Sequence, residues 1–162
     1  MNRSASGSRN RLHEVLLDEA TIPRGASDRD HERAVAIFDL VEDNSFGVPG
    51  REDGPYSLTV AQSESRLTFE VRAQSGERIV EFAVSMTPFR PLLKDYFMVC
   101  ETYYSAIRTA SPRQIEAIDR ERTALHNEGA ALLAARLADK VEVDEGTARR
   151  LFTLISALHW KT

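Results

Sequence analysis

The sequence predicts an α+β fold, in the order strand, helix, three-stranded antiparallel meander and three C-terminal helices. Three observations carry this. Between Tyr56 and Met86 apolar residues recur at every second position in three separate runs, the period of half-buried strands. From Pro88 onward the repeat lengthens to that of amphipathic helices. A length of 162 residues, 42% apolar and 28% charged, suits one modest core. The expected organisation is a disordered tail at 1–10 and a single domain at 11–162.

Taken in order, the opening MNRSASGSRN is polar and small, with no apolar period and none of the hydrophobic stretch of a secretion signal. The segment RLHEVLLDE, apolar at Val15, Leu16 and Leu17, suits a strand that ends before Pro23 and Gly25. Ser27 with Asp28 and Asp30 offers a cap and an acidic first turn for a helix reaching Asn44, its inward face read as Ala34, Ile37, Phe38 and Val41. The turn-rich loop SFGVPGREDGP follows, with Phe46 tucked back. In the meander, Tyr56, Leu58, Val60, Leu67, Phe69, Val71, Val80, Phe82, Val84 and Met86 form the dry face. Thr68, Glu70, Arg72 and Glu81 form the wet one.

The first C-terminal helix carries a broad arc from Phe89, Leu92 and Leu93 through Tyr96, Phe97 and Cys100 to Tyr103, Tyr104 and Ile107, a face that must be covered. Ser111 and Pro112 open a helix that runs to Ala138, about 40 Å at roughly 1.5 Å per residue, long enough for a bend at Gly129. Asp139 to Asp144 connects it to the last helix, which Asp144 caps.

Composition excludes several functions. Residues 1–81 carry 10 basic and 15 acidic side chains, and residues 82–162 carry 11 and 10, so phosphate neutralisation is a poor driving force for binding. No run reaches the ~20 apolar residues that span a bilayer, and a cytoplasmic location is expected. The one cysteine, Cys100, has no partner for an internal disulfide and reads as a small buried hydrophobe. Asp28, Asp30, His31 and Glu32 read as first-turn helix residues rather than metal ligands, and neither a metal nor a cofactor is expected.

Chemistry concentrates on the long helix. Arg122 falls within its apolar arc, which also holds Gly129, with Asp119 and His126 at the edge. Spacings of three, four and seven bring the three side chains to one face. A guanidinium cannot lose its charge to escape burial and needs partners. The group reads as an ion pair that fixes helix packing, as a pocket where Arg122 holds an anion while Asp119 and His126 exchange a proton, or as an arginine reaching past its neighbours to water. Gly129 reads as a point of close helix approach. On the last helix, Arg149, Thr153, Ser156 and Trp160 lie opposite the apolar side. A tryptophan there marks a protein contact or a dimer seam, unless it folds over the helix end.

The blocks ERAVAIFDLVEDNSF, GPYSL, LLKDYFMVCETYYSAI, IEAIDRERTALHNEGA and TARRLFTLISALHW, in that order, resemble uncharacterised protein family 0262 of alphaproteobacteria over residues 11–161. The resemblance implies no activity, cofactor or partner, and carries no functional residue onto this chain. The leading expectation is therefore a small protein acting through protein–protein contact or homodimerisation. The alternatives are a small hydrolase or anion-binding enzyme using Asp119, Arg122 and His126, and a weak nucleic-acid binder through the last helix, where Asp139, Glu142, Asp144 and Glu145 would repel phosphate.

Overall fold

The computed structural model describes residues 9–160. Strand β1 (Leu12–Leu17) leads to helix α1 (Ser27–Glu42), the two-residue β2 (Phe46–Gly47) and the strands β3 (Tyr56–Ser63), β4 (Arg66–Ala73) and β5 (Arg78–Ser85). A 3-10 turn (Thr87–Phe89) enters α2 (Arg90–Thr109), followed by α3 (Pro112–Leu137), the two-residue β6 (Glu142–Val143) and α4 (Glu145–His159). The fold is α+β.

Alternation builds the meander as expected. In β4, Leu67, Phe69, Val71 and Ala73 are buried in strict alternation, and the pairing Phe69↔Phe82 stacks two rings with centroids 5.5 Å apart. On the other face Glu70 bonds Arg72 and Arg78, at 2.9 and 2.8 Å. Gly76, at φ +95°, supplies the left-handed residue that the β4–β5 turn requires. Strand β1 joins the sheet beside β3, giving the order β1-β3-β4-β5. It runs parallel to β3, which needs a crossover, and α1 provides it. Segments read as connectors contain a second ladder, β2 pairing antiparallel with β6.

The face of α1 differs from the sequence reading. Arg33, Ala36 and Leu40 are buried, with Ile37 and Val41 half-covered, whereas Ala34 is exposed and Phe38 stands 63% exposed. Arg33 turns the helix: its Nη1 donates to the Pro23 carbonyl at 3.0 Å and lies 4.0 Å from Asp30, so a long cationic stem occupies a position that an apolar pattern excludes. Residue Ala26, not Ser27, is the N-cap, without a side-chain bond, and Asp30 accepts from the Gly25 N–H at 2.9 Å.

Helix α2 is covered for only half its length. Phe89, Leu92 and Leu93 are buried and Tyr96, Phe97 and Cys100 half-buried, but Tyr104 and Ile107 are 56% and 50% exposed. Along α3 no residue before Gly129 is fully buried. The end of α2 and the start of α3 thus back one another and stand off the body. Helix α3 opens on a capping box between Ser111 and Gln114 and runs as an unbroken α-helix through Gly129, where the sequence allowed a bend. Gly129 is a point of close approach: a Cβ there would lie 2.2 Å from Phe152 Cζ. Asp144 caps α4, accepting from the Thr147 N–H at 2.8 Å.

One core cluster unites the sheet with α1, α2, α3 and α4, among its members Leu40, Tyr56, Phe69, Phe89, Leu133 and Phe152. Asn44 ties α1 to the sheet edge. Its Oδ1 accepts from the Leu12 N–H at 2.7 Å, and its Nδ2 donates to the carbonyls of Leu12 and Leu40 at 3.1 and 2.8 Å. Asn44→Ala strips partners from part-buried backbone groups and is expected to cost about 2 kcal/mol in urea denaturation. Asn44→Asp, which cannot donate, is expected to recover little of it. A loss below about 0.5 kcal/mol for both would show that the clamp contributes nothing beyond an ordinary surface residue.

Candidate functional site

The side of α4 opposite its apolar stripe forms the floor of a trough between α1 on one wall and α2 with α3 on the other. The trough holds two adjoining cavities that share Tyr96 and Thr153. One, about 410 Å³, lies at the start of α4 and is lined by Arg122, His126, Arg149 and Arg150. The other, about 450 Å³, lies toward the end of α4, where α1 contributes Asp28, Glu32, Val35 and Asp39 and α2 contributes Phe97, Cys100 and Tyr104.

The structure divides the trio of Asp119, Arg122 and His126. Arg122 Nη2 bonds Asp119 Oδ1 at 2.6 Å, and its guanidinium carbon sits 3.9 Å above the Tyr103 ring. Burial works against the Arg122 charge, but the Asp119 bond and charge outweigh it, and the guanidinium is held more firmly protonated than usual. Asp119 stays on the outer side of this pair, while Arg122 and His126 border the cavity. His126 turns to α4, its Nε2 2.8 Å from Thr153 Oγ1. The Thr153 hydroxyl donates to the Arg149 carbonyl at 3.1 Å, so the imidazole carries its proton on Nε2 and donates to Thr153. The opposite ring nitrogen, Nδ1, is buried and without a partner. Burial first, then the charges of Arg149 and Arg122, lower the His126 pKa from 6.5 to about 4.

Of the residues read as an interface on α4, Thr153 is exposed, Arg149 and Trp160 are half-buried, and all four border the trough. Ser156 is buried and donates to the Phe152 carbonyl at 2.9 Å. Trp160 folds against Phe97, ring centroids 5.2 Å apart and edge to face, rather than projecting from the end of the helix. Arg149 bonds Asn127 on α3, and Arg150 bonds Asp43, just beyond α1, at 3.2 Å. Sequence reasoning missed the convergence of Arg149 with Arg122 on one cavity and the wall supplied by α1. The signal was Gly129, since its contact with Phe152 places His126 opposite Thr153. Burial raises the Cys100 pKa, which disfavours the thiolate a nucleophile needs.

The low basicity of His126 gives a stability profile with a defined sign. As pH falls through 6.5 toward 4, the unfolded chain takes up this proton before the folded one, so stability is full above that window and declines across it. His126→Gln keeps a donor for Thr153 but does not titrate. Urea melts of this variant are expected to show a flatter dependence on pH between those values. A slope equal to that of the unsubstituted protein would contradict the assignment.

The sequence of residues 9–161 matches the model of the Uncharacterised protein family (UPF0262). Similar proteins include UPF0262 proteins of Methylobacterium radiotolerans, 58% identical over 152 residues with 94% of each chain covered, and of Xanthobacter autotrophicus, 58% identical over 154 residues with 93% of each chain covered. A third, from Azorhizobium caulinodans, is 57% identical over 156 residues, covering 94% of this chain and 95% of its own. These names state no activity, ligand or partner. No solved structure matches the chain. With a family model spanning nearly the whole sequence and relatives above half identity over almost their full length, the chain belongs to the uncharacterised protein family UPF0262.

Proposed function

We propose that this protein works in the cytoplasm by binding another protein, and that a cationic amphipathic segment of the partner lies in the trough between α1 and α2. The carrying observation is that the apolar stripe of α2 outlasts its cover. Tyr104 continues the line of Tyr96 and Cys100 into solvent and lines the same cavity as the exposed Val35 of α1, while Ile107 farther along α2 and Phe38 on α1 are exposed as well.

Charge selects the partner. Asp28, Glu32 and Asp39 border this end of the trough, and neither Glu32 nor Asp39 makes an ion pair among the described residues. An apolar strip edged by free carboxylates suits a helix with Lys or Arg beside its hydrophobic face. A second copy of this chain docking in a symmetric manner would bring the same carboxylates against themselves, which makes homodimerisation the weaker reading.

Two observations favour protein contact over the other readings. Asp119 is bonded to Arg122 and His126 to Thr153, so the acid and the base are engaged apart from each other. Asp139, Glu142, Asp144 and Glu145 immediately precede the arginines of α4 and repel an extended phosphate backbone, which supports a protein partner over a nucleic-acid groove. No helix among the described residues is long and apolar enough to cross a membrane.

The test is a photo-cross-linker placed at Ile107, combined with the variant Phe38→Ser, Tyr104→Ser. Both changed side chains are exposed, and stability is expected to shift by no more than about 0.5 kcal/mol per site. The expected cross-linked peptide is basic, with apolar residues three and four apart, and the double variant loses it. Cross-links only between copies of this chain, or capture unchanged in the variant, would overturn the reading.

A further inference from the structure

We infer that the cavity at the start of α4 is a binding site for a phosphate-type oxyanion, held by Arg122 from α3 and by Arg149 and Arg150 from α4. The cavity has three cationic side chains on its wall and no acidic one. The carboxylates that touch the arginines lie to the side and are few: Asp119 takes one Nη2 of Arg122 at 2.6 Å, and Asp43 takes one Nη2 of Arg150 at 3.2 Å. Among the described residues Arg149 has only the neutral Asn127 side-chain oxygen. A guanidinium carries five N–H donors in a planar fork, so most donors of the three remain for a ligand.

The three guanidiniums share one cavity, with Asp119 and Asp43 beside them, and their summed charge attracts an anion into it. The surroundings favour that anion. Gly146, in the first turn of α4, lies at the cavity edge. A Cβ there would stand 3.0 Å from Arg150 Nη1, so the missing side chain leaves room for this fork at the cavity edge. Thr123 adds a hydroxyl to the wall. Burial is the main cause of the depressed basicity of His126, and the charges of Arg149 and Arg122 lower it further, as a positive cavity does to a neighbouring base.

Several converging forks match the oxygens of a tetrahedral dianion better than the two of a single carboxylate. Inorganic phosphate and the phosphate of an organic monoester share this chemistry. The site needs neither the trough's protein partner nor proton transfer by His126, and is separable from both.

The experiment follows backbone amide and His126 ring resonances of the full chain during titration with inorganic phosphate, phenyl phosphate and acetate at constant ionic strength. The expected result is saturable binding of a phosphate with shifts at Thr123, Gly146 and Thr153, and a rise in the His126 pKa when the anion is bound. Arg149→Gln, which leaves no carboxylate without its partner, is expected to weaken binding at least about tenfold. Arg149→Lys recovers part of the loss, and Arg113→Gln, exposed at the start of α3, leaves it unchanged. Tighter binding of phenyl phosphate identifies an organic monoester as the natural form, and equal binding identifies the free anion. Failure of both phosphates to saturate, acetate binding as well as phosphate, or Arg149→Gln titrating like the unsubstituted protein would overturn the inference.

Discussion

Phe152 lies with its ring against the bare backbone of Gly129, and the surroundings of α4 are organised by that contact. A Cβ at position 129 would come within 2.2, 2.4 and 2.7 Å of three ring carbons, so only glycine lets α3 settle at this distance. Glycine in a helix interior costs about 1 kcal/mol relative to alanine, and full burial of a phenylalanine returns roughly 2–3 kcal/mol. Phe152 is fully buried and collects aromatic neighbours, with centroids 5.1 Å from His126, 6.1 Å from Tyr96 and 6.4 Å from Phe89. The ring therefore binds α2, α3, α4 and the turn before α2 into one unit.

The register that this contact imposes produces the polar features nearby. With Gly129 opposite Phe152, His126 meets Thr153 and Asn127 meets Arg149. Arg122, one turn earlier on α3, then faces the same space as Arg149 and Arg150. Toward the start of α3 the support of α4 ends, and α2 and α3 continue on each other alone. Tyr104 and Ile107 are left exposed there. Rigid packing at one level and an uncovered apolar strip at the next thus share a cause.

Much of the fold was legible because alternation and helical period act locally. The meander, the caps at Ser111 and Asp144, and the close approach at Gly129 are all readable from neighbouring residues. The parallel partner of β1 was not, since that pairing depends on a crossover and leaves no periodic trace, and two-residue ladders such as β2 with β6 are too short to show a period. The face of α1 was misjudged because Arg33 buries an aliphatic stem, and a binary pattern counts it as polar. Periodicity marked Tyr104 and Ile107 as apolar but holds no information on whether they are covered. Within the candidate site, the spacing of Asp119, Arg122 and His126 was readable along one helix. The meeting of Arg122 with Arg149 was not, because it depends on the register between two helices, and Trp160 was drawn back by Phe97, a residue far away in the sequence.

The contact that sets this register is tested most directly by a double-mutant cycle on Gly129→Ala and Phe152→Leu, followed by urea denaturation. Gly129→Ala alone is expected to destabilise the protein by about 1–3 kcal/mol despite alanine's better helix propensity, because the ring has nowhere to move. With the smaller leucine opposite, the added methyl group finds room, and the two changes together are expected to cost less than their sum by at least about 1 kcal/mol. Additivity within roughly 0.3 kcal/mol would contradict the claim that this close approach holds α3 on α4.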